Sequence, residues 1–93
     1  MIKSFRDKLT ESLFNGEVPK GAIAQIARIA RRKLEMVNAA TVLDDLRSPP
    51  GNRLEELIGD RAGQHSIRIN KKYRVCFTWT DAGPEDVEVC DYH

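Results

Sequence analysis

Apolar residues change their period once along this chain, from helical in the first half to alternating in the second. Ile2-Lys3 is a candidate first strand. Ser4, with Asp7 three positions on, resembles a helix N-cap carrying an acid in the first turn. Phe5, Leu9 and Leu13 recur every four residues, one face of a helix. Asn15-Gly16 and Pro19 end it. Ile23, Ile26, Ala27, Ala30, Leu34 and Val37 then form an i, i+3/i+4 ladder, predicting a second helix from about Gly21 to Ala40. Thr41 to Asn52 reads as a connection, with Leu43 and Leu46 tucked onto the core. Ser48-Pro49-Pro50-Gly51 excludes regular helix or central strand there.

After Asn52 the period is two. Arg53–Ile58 is a candidate strand, closed by Gly59-Asp60. Gln64–Asn70 places Ile67 and Ile69 on one side, and Ser66, Arg68 and Asn70 on the other. Asn70-Lys71-Lys72 makes a turn. Tyr73, Val75, Phe77 and Trp79 alternate with Arg74, Cys76, Thr78 and Thr80, and Val87 and Val89 mark a last strand. The expected fold is α+β: two N-terminal helices packed on one face of a C-terminal antiparallel β-meander, a single domain over residues 1–93.

Composition agrees with one soluble globular domain: 93 residues, 41% hydrophobic and 31% charged. No apolar run approaches the roughly 20 residues that span a bilayer, and the first residues lack the apolar stretch of a secretory signal. The expected compartment is the cytoplasm, with no membrane contact. Cys76 and Cys90 belong to no metal-spaced cluster and read as small buried or half-buried residues. They could form a disulfide only if their strands pair in a suitable register, which a reducing compartment disfavours.

Charge is informative by its distribution, since the net value is only +1. Arg61, Arg68, Lys71, Lys72 and Arg74 fall in a stretch without acids. Asp81, Glu85, Asp86, Glu88 and Asp91 fall in one without bases. Arg28, Arg31, Arg32 and Lys33 form a third block, on the second helix. Two readings are open. The strands could pair their charges across the sheet, and the helix block could be an ordinary solvated face. Alternatively, the cations form a local anion-binding surface beside carboxylates.

With the apolar side of each strand turned to the helices, Arg68, Arg74 and Cys76 share the other face. Two guanidinium groups on adjacent strands suit one phosphate, or they pair with Glu88 or other acids. The chain ends Asp91-Tyr92-His93, a carboxylate, a phenol and an imidazole led in by a strand. Such groups fit ribonuclease chemistry without metal or cofactor. A base takes the 2′-hydroxyl proton, cations stabilise the crowded phosphate, and an acid protonates the leaving 5′-oxygen. His65, His93, Cys90 and Asp91 match no familiar metal-ligand spacing. Trp79 could stack on a base, but its side of the strand is the core side.

Met1-Ile2-Lys3-Ser4-Phe5, Pro49-Pro50-Gly51-Asn52-Arg53-Leu54, Gly59-Asp60-Arg61, Gln64 to Asn70, Tyr73-Arg74-Val75-Cys76-Phe77 and the terminal Asp91-Tyr92-His93 together resemble the HigB toxins, a branch of the RelE superfamily. The likeness runs the length of the chain. It implies a ribosome-dependent mRNA endonuclease (an mRNA interferase) that cuts the message in the ribosomal A site and inhibits translation. It also implies a cognate HigA-type helix-turn-helix antitoxin, through which alone the toxin would meet DNA. By this resemblance Asp91, Tyr92 and His93 match the catalytic tail, and Arg68 and Arg74 match cations that hold the scissile phosphate. Lys71, Lys72, Arg28, Arg31 and Arg32 become candidates for RNA or ribosome contact. Some members carry a histidine where this chain has Glu55, which leaves open whether Glu55 is an alternative base. A non-catalytic RNA- or protein-binding module on the same scaffold, or a partner acting only in an antitoxin–operator complex, is the competing reading.

Overall fold

A computed structural model of the chain describes residues 1–91. Helix α1 spans Lys8–Phe14 and is capped by Asp7, whose carboxylate accepts from Thr10 N at 2.8 Å. Ser4 is therefore not the cap. Its hydroxyl accepts instead from Asp86 N at 2.9 Å, far away in sequence. Phe5 also stays outside the helix, held in a parallel bridge to Val87, so the expected Phe5–Leu9–Leu13 ladder is broken. The face that α1 buries carries Thr10 and Leu13, while Leu9 is exposed. Thr10 tolerates full burial because its hydroxyl accepts from Val89 N at 2.9 Å.

Helix α2 covers Ala27–Ala39, and a 3₁₀ turn over Ala22–Ile26 replaces the first part of the expected helix. Its stripe of Ala27, Ala30, Leu34 and Val37 is buried as the ladder requires. Leu46 is buried in the connection, and Leu43 packs against the core.

The sheet consists of β1 (Glu55–Glu56), β2 (His65–Arg68), β3 (Tyr73–Thr80) and β4 (Gly83–Asp91), in that order and antiparallel throughout. Strand β1 is much shorter than the expected 53–58. Arg53 takes a left-handed conformation at φ 46°, which ends extended backbone on one side, and Gly59–Arg61 turns tightly on the other. Within β4, Asp86 at φ 52° is an extra residue opposite Phe77, between the Cys76–Glu88 and Thr78–Glu85 pairs. That bulge keeps Val87 and Val89 on the core side while Glu85 and Glu88 point away. The outer edge of β4 is covered by the N-terminal segment: Lys3 N donates to Pro84 O, Val87 N to Ser4 O, and Arg6 N to Val87 O. Open edge groups that would template aggregation are thereby paired. Ile2-Lys3 thus contributes pairing to β4 without forming a regular strand.

Ile67, Ile69, Val75, Phe77, Val87 and Val89 meet Leu13, Ala30, Leu34 and Val37 between the sheet and the helices. Trp79 packs against this cluster, edge-on to Phe77, rather than presenting a free stacking surface. A second, smaller cluster of Leu57, Cys76 and Cys90 lies on the opposite sheet face. That face carries the functional candidates.

Candidate active site

Cross-strand pairing puts Arg68 directly opposite Arg74. Alternation turns both away from the helices, because their neighbours Ile67 and Val75 pair within the core. Like charges at directly opposed positions are unfavourable, so each guanidinium has to be held. Arg74 is nearly buried, at 9% exposure. Its Nε donates to Ser66 Oγ at 2.7 Å, and its Nη2 donates to the Arg53 carbonyl at 2.8 Å. Ser66 is fully buried beside it.

Asn52 fixes the segment that brings the Arg53 carbonyl to this point. Its side chain is fully buried and donates to Leu46 O at 3.2 Å and Ser48 O at 3.3 Å, and its Oδ1 accepts from Lys33 Nζ at 2.6 Å. Burial first, and then the Arg32 charge, lower the Lys33 pKa. The αL conformation of Arg53 costs roughly 1–2 kcal/mol for an L-residue. It is maintained by a 3₁₀ turn in which Arg53 N donates to Pro50 O.

The neighbouring part of this face is an ion-pair cluster. Glu88, paired with Cys76, forms ion pairs with Arg61 at 3.0 Å and Arg6 at 3.7 Å. Glu88 therefore serves Arg61 and Arg6, and among the described residues it forms no ion pair with Arg68 or Arg74. Burial works against the Arg61 charge, but the hydrogen bond to Glu88 holds its pKa above the ordinary value. Cys76 and Cys90, both free thiols, have their sulfurs 2.6 Å apart in the buried cluster. With Cys76 as donor, the hydrogen bond and burial raise its pKa. The same bond lowers that of Cys90 against the effect of burial, helped by Arg61.

The other predicted residues are distributed around this face. Asp91 pairs with Tyr73, which puts it on the helix side of the sheet, across from Arg68 and Arg74, with Lys72 at 3.8 Å. Lys72 also stands over the Tyr73 ring at 5.5 Å, and Lys71 is exposed in the same turn. Tyr92 and His93 lie outside the described residues. Glu55 pairs with Ser66 and so shares the face of the Arg74 anchor. His65 stacks on Phe77 on the core side, which separates it from Cys90. Among the described residues no group of three or more His, Cys, Asp or Glu could hold a metal ion.

Arg28, Arg31 and Arg32 stand on the helix layer, lining a cleft of about 360 Å³ with Leu13, Val18, Glu17 and Glu35. They do not converge with Arg68 and Arg74. Lys33 turns instead to Asn52, which splits the basic block. Sequence reasoning missed Ser66, Asn52, the Arg53 carbonyl and the Arg61–Glu88 pair. Asn52 beside Pro and Gly reads as loop, Ser66 reads as an ordinary polar strand position, and a backbone carbonyl has no residue type to recognise.

Residues 3–93 match the family described as RelE-like toxin of type II toxin-antitoxin system HigB. The chain is 43% identical over 82 residues to Toxin HigB-1 of Vibrio cholerae serotype O1, covering 87% of this chain and 86% of that one. It is 31% identical over 93 residues to Endoribonuclease HigB of Proteus vulgaris, covering both completely. Its fold is similar to that of the YoeB-YefM complex from Staphylococcus aureus. There the TM-score is 0.56 and identity 16%, with 100% of this chain and 98% of that chain covered. The helix-backed sheet, its basic outer face and these relatives agree: the chain belongs to the HigB-like toxins of the RelE superfamily.

Proposed function

We propose that this protein is an endoribonuclease toxin that cleaves mRNA in the A site of the ribosome, without metal, and is neutralised by a HigA-type antitoxin. The observation that carries this reading is the Arg68–Arg74 pair on the sheet face away from the helices. Two opposed guanidinium groups repel one another, and a phosphate between them relieves that repulsion. Among the described residues Arg68 forms no ion pair. Arg74 is anchored by Ser66 and the Arg53 carbonyl, the preorganisation that transition-state stabilisation needs. The name of the Proteus vulgaris relative supports the ribonuclease activity.

In this mechanism the ribose 2′-oxygen loses its proton to a base and attacks the adjacent phosphorus. The P–O5′ bond breaks, the 5′-oxygen takes a proton from an acid, and a 2′,3′-cyclic phosphate remains. Arg68 and Arg74 carry the charge that builds on the phosphate oxygens. Of the terminal Asp91, Tyr92 and His93, the last two supply the proton acceptor and donor, while Asp91, on the helix side of the sheet, pairs with Lys72. Lys71 and Lys72, in the turn next to the arginines, contact the RNA backbone. Arg28, Arg31 and Arg32, on the other side of the sheet, are left to contact ribosomal RNA away from the scissile bond.

Cleavage mapping on ribosomes stalled over a defined message tests this reading, with the bare message as control. Wild-type protein should cut within the A-site codon only when ribosomes are present. Arg68→Ala and His93→Ala should each cut at least roughly 100-fold more slowly, the typical loss of one transition-state charge or proton-transfer partner. Folded wild-type protein that cuts neither substrate would favour a non-catalytic binding module on this scaffold.

A further inference from the structure

Resting on the endonuclease reading, we infer that Ser66 is a positioning residue for Arg74, acting with the Arg53 carbonyl as a two-point clamp on the guanidinium. Arg74 is a long side chain on a sheet face and must give up several rotatable bonds to present its fork in one orientation. A guanidinium is useful to a phosphate only along the directions of its planar N–H groups. Contacts to Ser66 and Arg53 set that plane here. Ser66 Oγ accepts from Nε at 2.7 Å, and the Arg53 carbonyl accepts from Nη2 at 2.8 Å. They approach from different parts of the chain, Ser66 from β2 and Arg53 from the connection before β1, so together they fix both tilt and rotation.

Each clamp point is itself immobilised. Ser66 is fully buried in β2, paired with Glu55 on one side and Cys76 on the other. The Arg53 carbonyl is aimed by the left-handed backbone at that residue. Asn52, fully buried, ties the same turn to Leu46 O and Ser48 O. The polarity of the contacts matters as well. A hydroxyl oxygen and a carbonyl accept hydrogen bonds without a full negative charge, so they orient Arg74 without neutralising it. A carboxylate here would satisfy the guanidinium and weaken its pull on phosphate. Glu88, a carboxylate on this face of β4, is engaged by Arg61 and Arg6. The arrangement sets the geometry of the Arg74 guanidinium.

Ser66→Ala, the deletion of one oxygen from a buried strand position, tests the clamp. Single-turnover cleavage on programmed ribosomes should slow by roughly 10- to 100-fold, the scale of an ångström-level misplacement, while the half-saturating ribosome concentration stays put. In an Arg74→Ala background the same change should have no further effect, because nothing is left to position. A readout independent of cleavage is the Arg74 side-chain Nε–H resonance. It should be slowly exchanging in wild type and exchange rapidly with solvent in Ser66→Ala. Wild-type cleavage by Ser66→Ala, equal losses in both backgrounds, or an unchanged Nε–H signal would each overturn the clamp. Absence of cleavage by wild type itself would instead overturn the endonuclease reading and the catalytic role of the clamp with it, while the Nε–H signal would still report whether Ser66 holds Arg74.

Discussion

Asn52→Ala should be among the most damaging changes outside the apolar core, although residue 52 sits in a Pro/Gly-rich connection. The side chain is fully buried, and it donates to Leu46 O at 3.2 Å and Ser48 O at 3.3 Å. Alanine leaves both carbonyls without those donors, that of Leu46 in a buried bond and that of Ser48 in a partly buried one. A buried acceptor left unpaired costs about 1–3 kcal/mol; the lower end applies, because the Ser48 bond is only partly buried. Loss of the 2.6 Å bond from Lys33 Nζ adds a charge-assisted contact, about 1.5–3 kcal/mol for such bonds. Shared burial makes these losses less than additive, so about 3 kcal/mol is expected. For a domain of this size that is a fall of roughly 12–24 °C in Tm.

Urea unfolding followed by the fluorescence of Trp79, the one tryptophan, reads this directly. The midpoint should fall with an unchanged slope. Asn70→Ala is the control. The Asn70 carboxamide accepts from Lys72 N and Tyr73 N, both at 2.8 Å, but the first bond is exposed and the second only partly buried, so water can replace it more readily than at Asn52. Its loss should be under about 1 kcal/mol. Equal effects of the two substitutions, or a loss below about 1 kcal/mol at Asn52, would show that burial does not govern the cost of these bonds.

Two further outcomes follow from the protonation equilibria. The Asp45 pKa lies below its ordinary 3.8 because its carboxylate accepts from Thr41 N, Val42 N and the Thr41 hydroxyl. A depressed acid stabilises the fold above its unfolded pKa, and that contribution disappears as pH falls through the lower folded value. Asp45→Asn should therefore flatten the acid limb of stability below about pH 4; an unchanged acid limb in urea midpoints would contradict the role of these bonds. Iodoacetamide should modify Cys90 before Cys76, because the hydrogen bond lowers one pKa and raises the other. Peptide mass mapping that found Cys76 modified first would reverse the donor assignment.

The periodicities were enough for the layer order, the meander and the side of the sheet on which Arg68, Arg74 and Cys76 stand, because alternation in a half-buried strand dictates facing. The α2 stripe was legible for the same reason. Reading failed where a long-range partner competed for a local role. Ser4 looks like a helix cap, yet it is claimed by the bulge in β4, and Asp7 caps instead. Phe5 looks helical, yet bonds of its neighbours to Val87 keep it extended.

The candidate site divides along the same line. The sequence by itself determined which charged residues exist and which strand face they take, since both follow from residue type and a period of two. Only the tertiary structure decided that Glu88 goes to Arg61 and Arg6, and that Ser66 and the Arg53 carbonyl take Arg74. Those outcomes depend on cross-strand register and on the turn ahead of β1. Both are set by packing between segments distant in sequence, and no local pattern of residues encodes them.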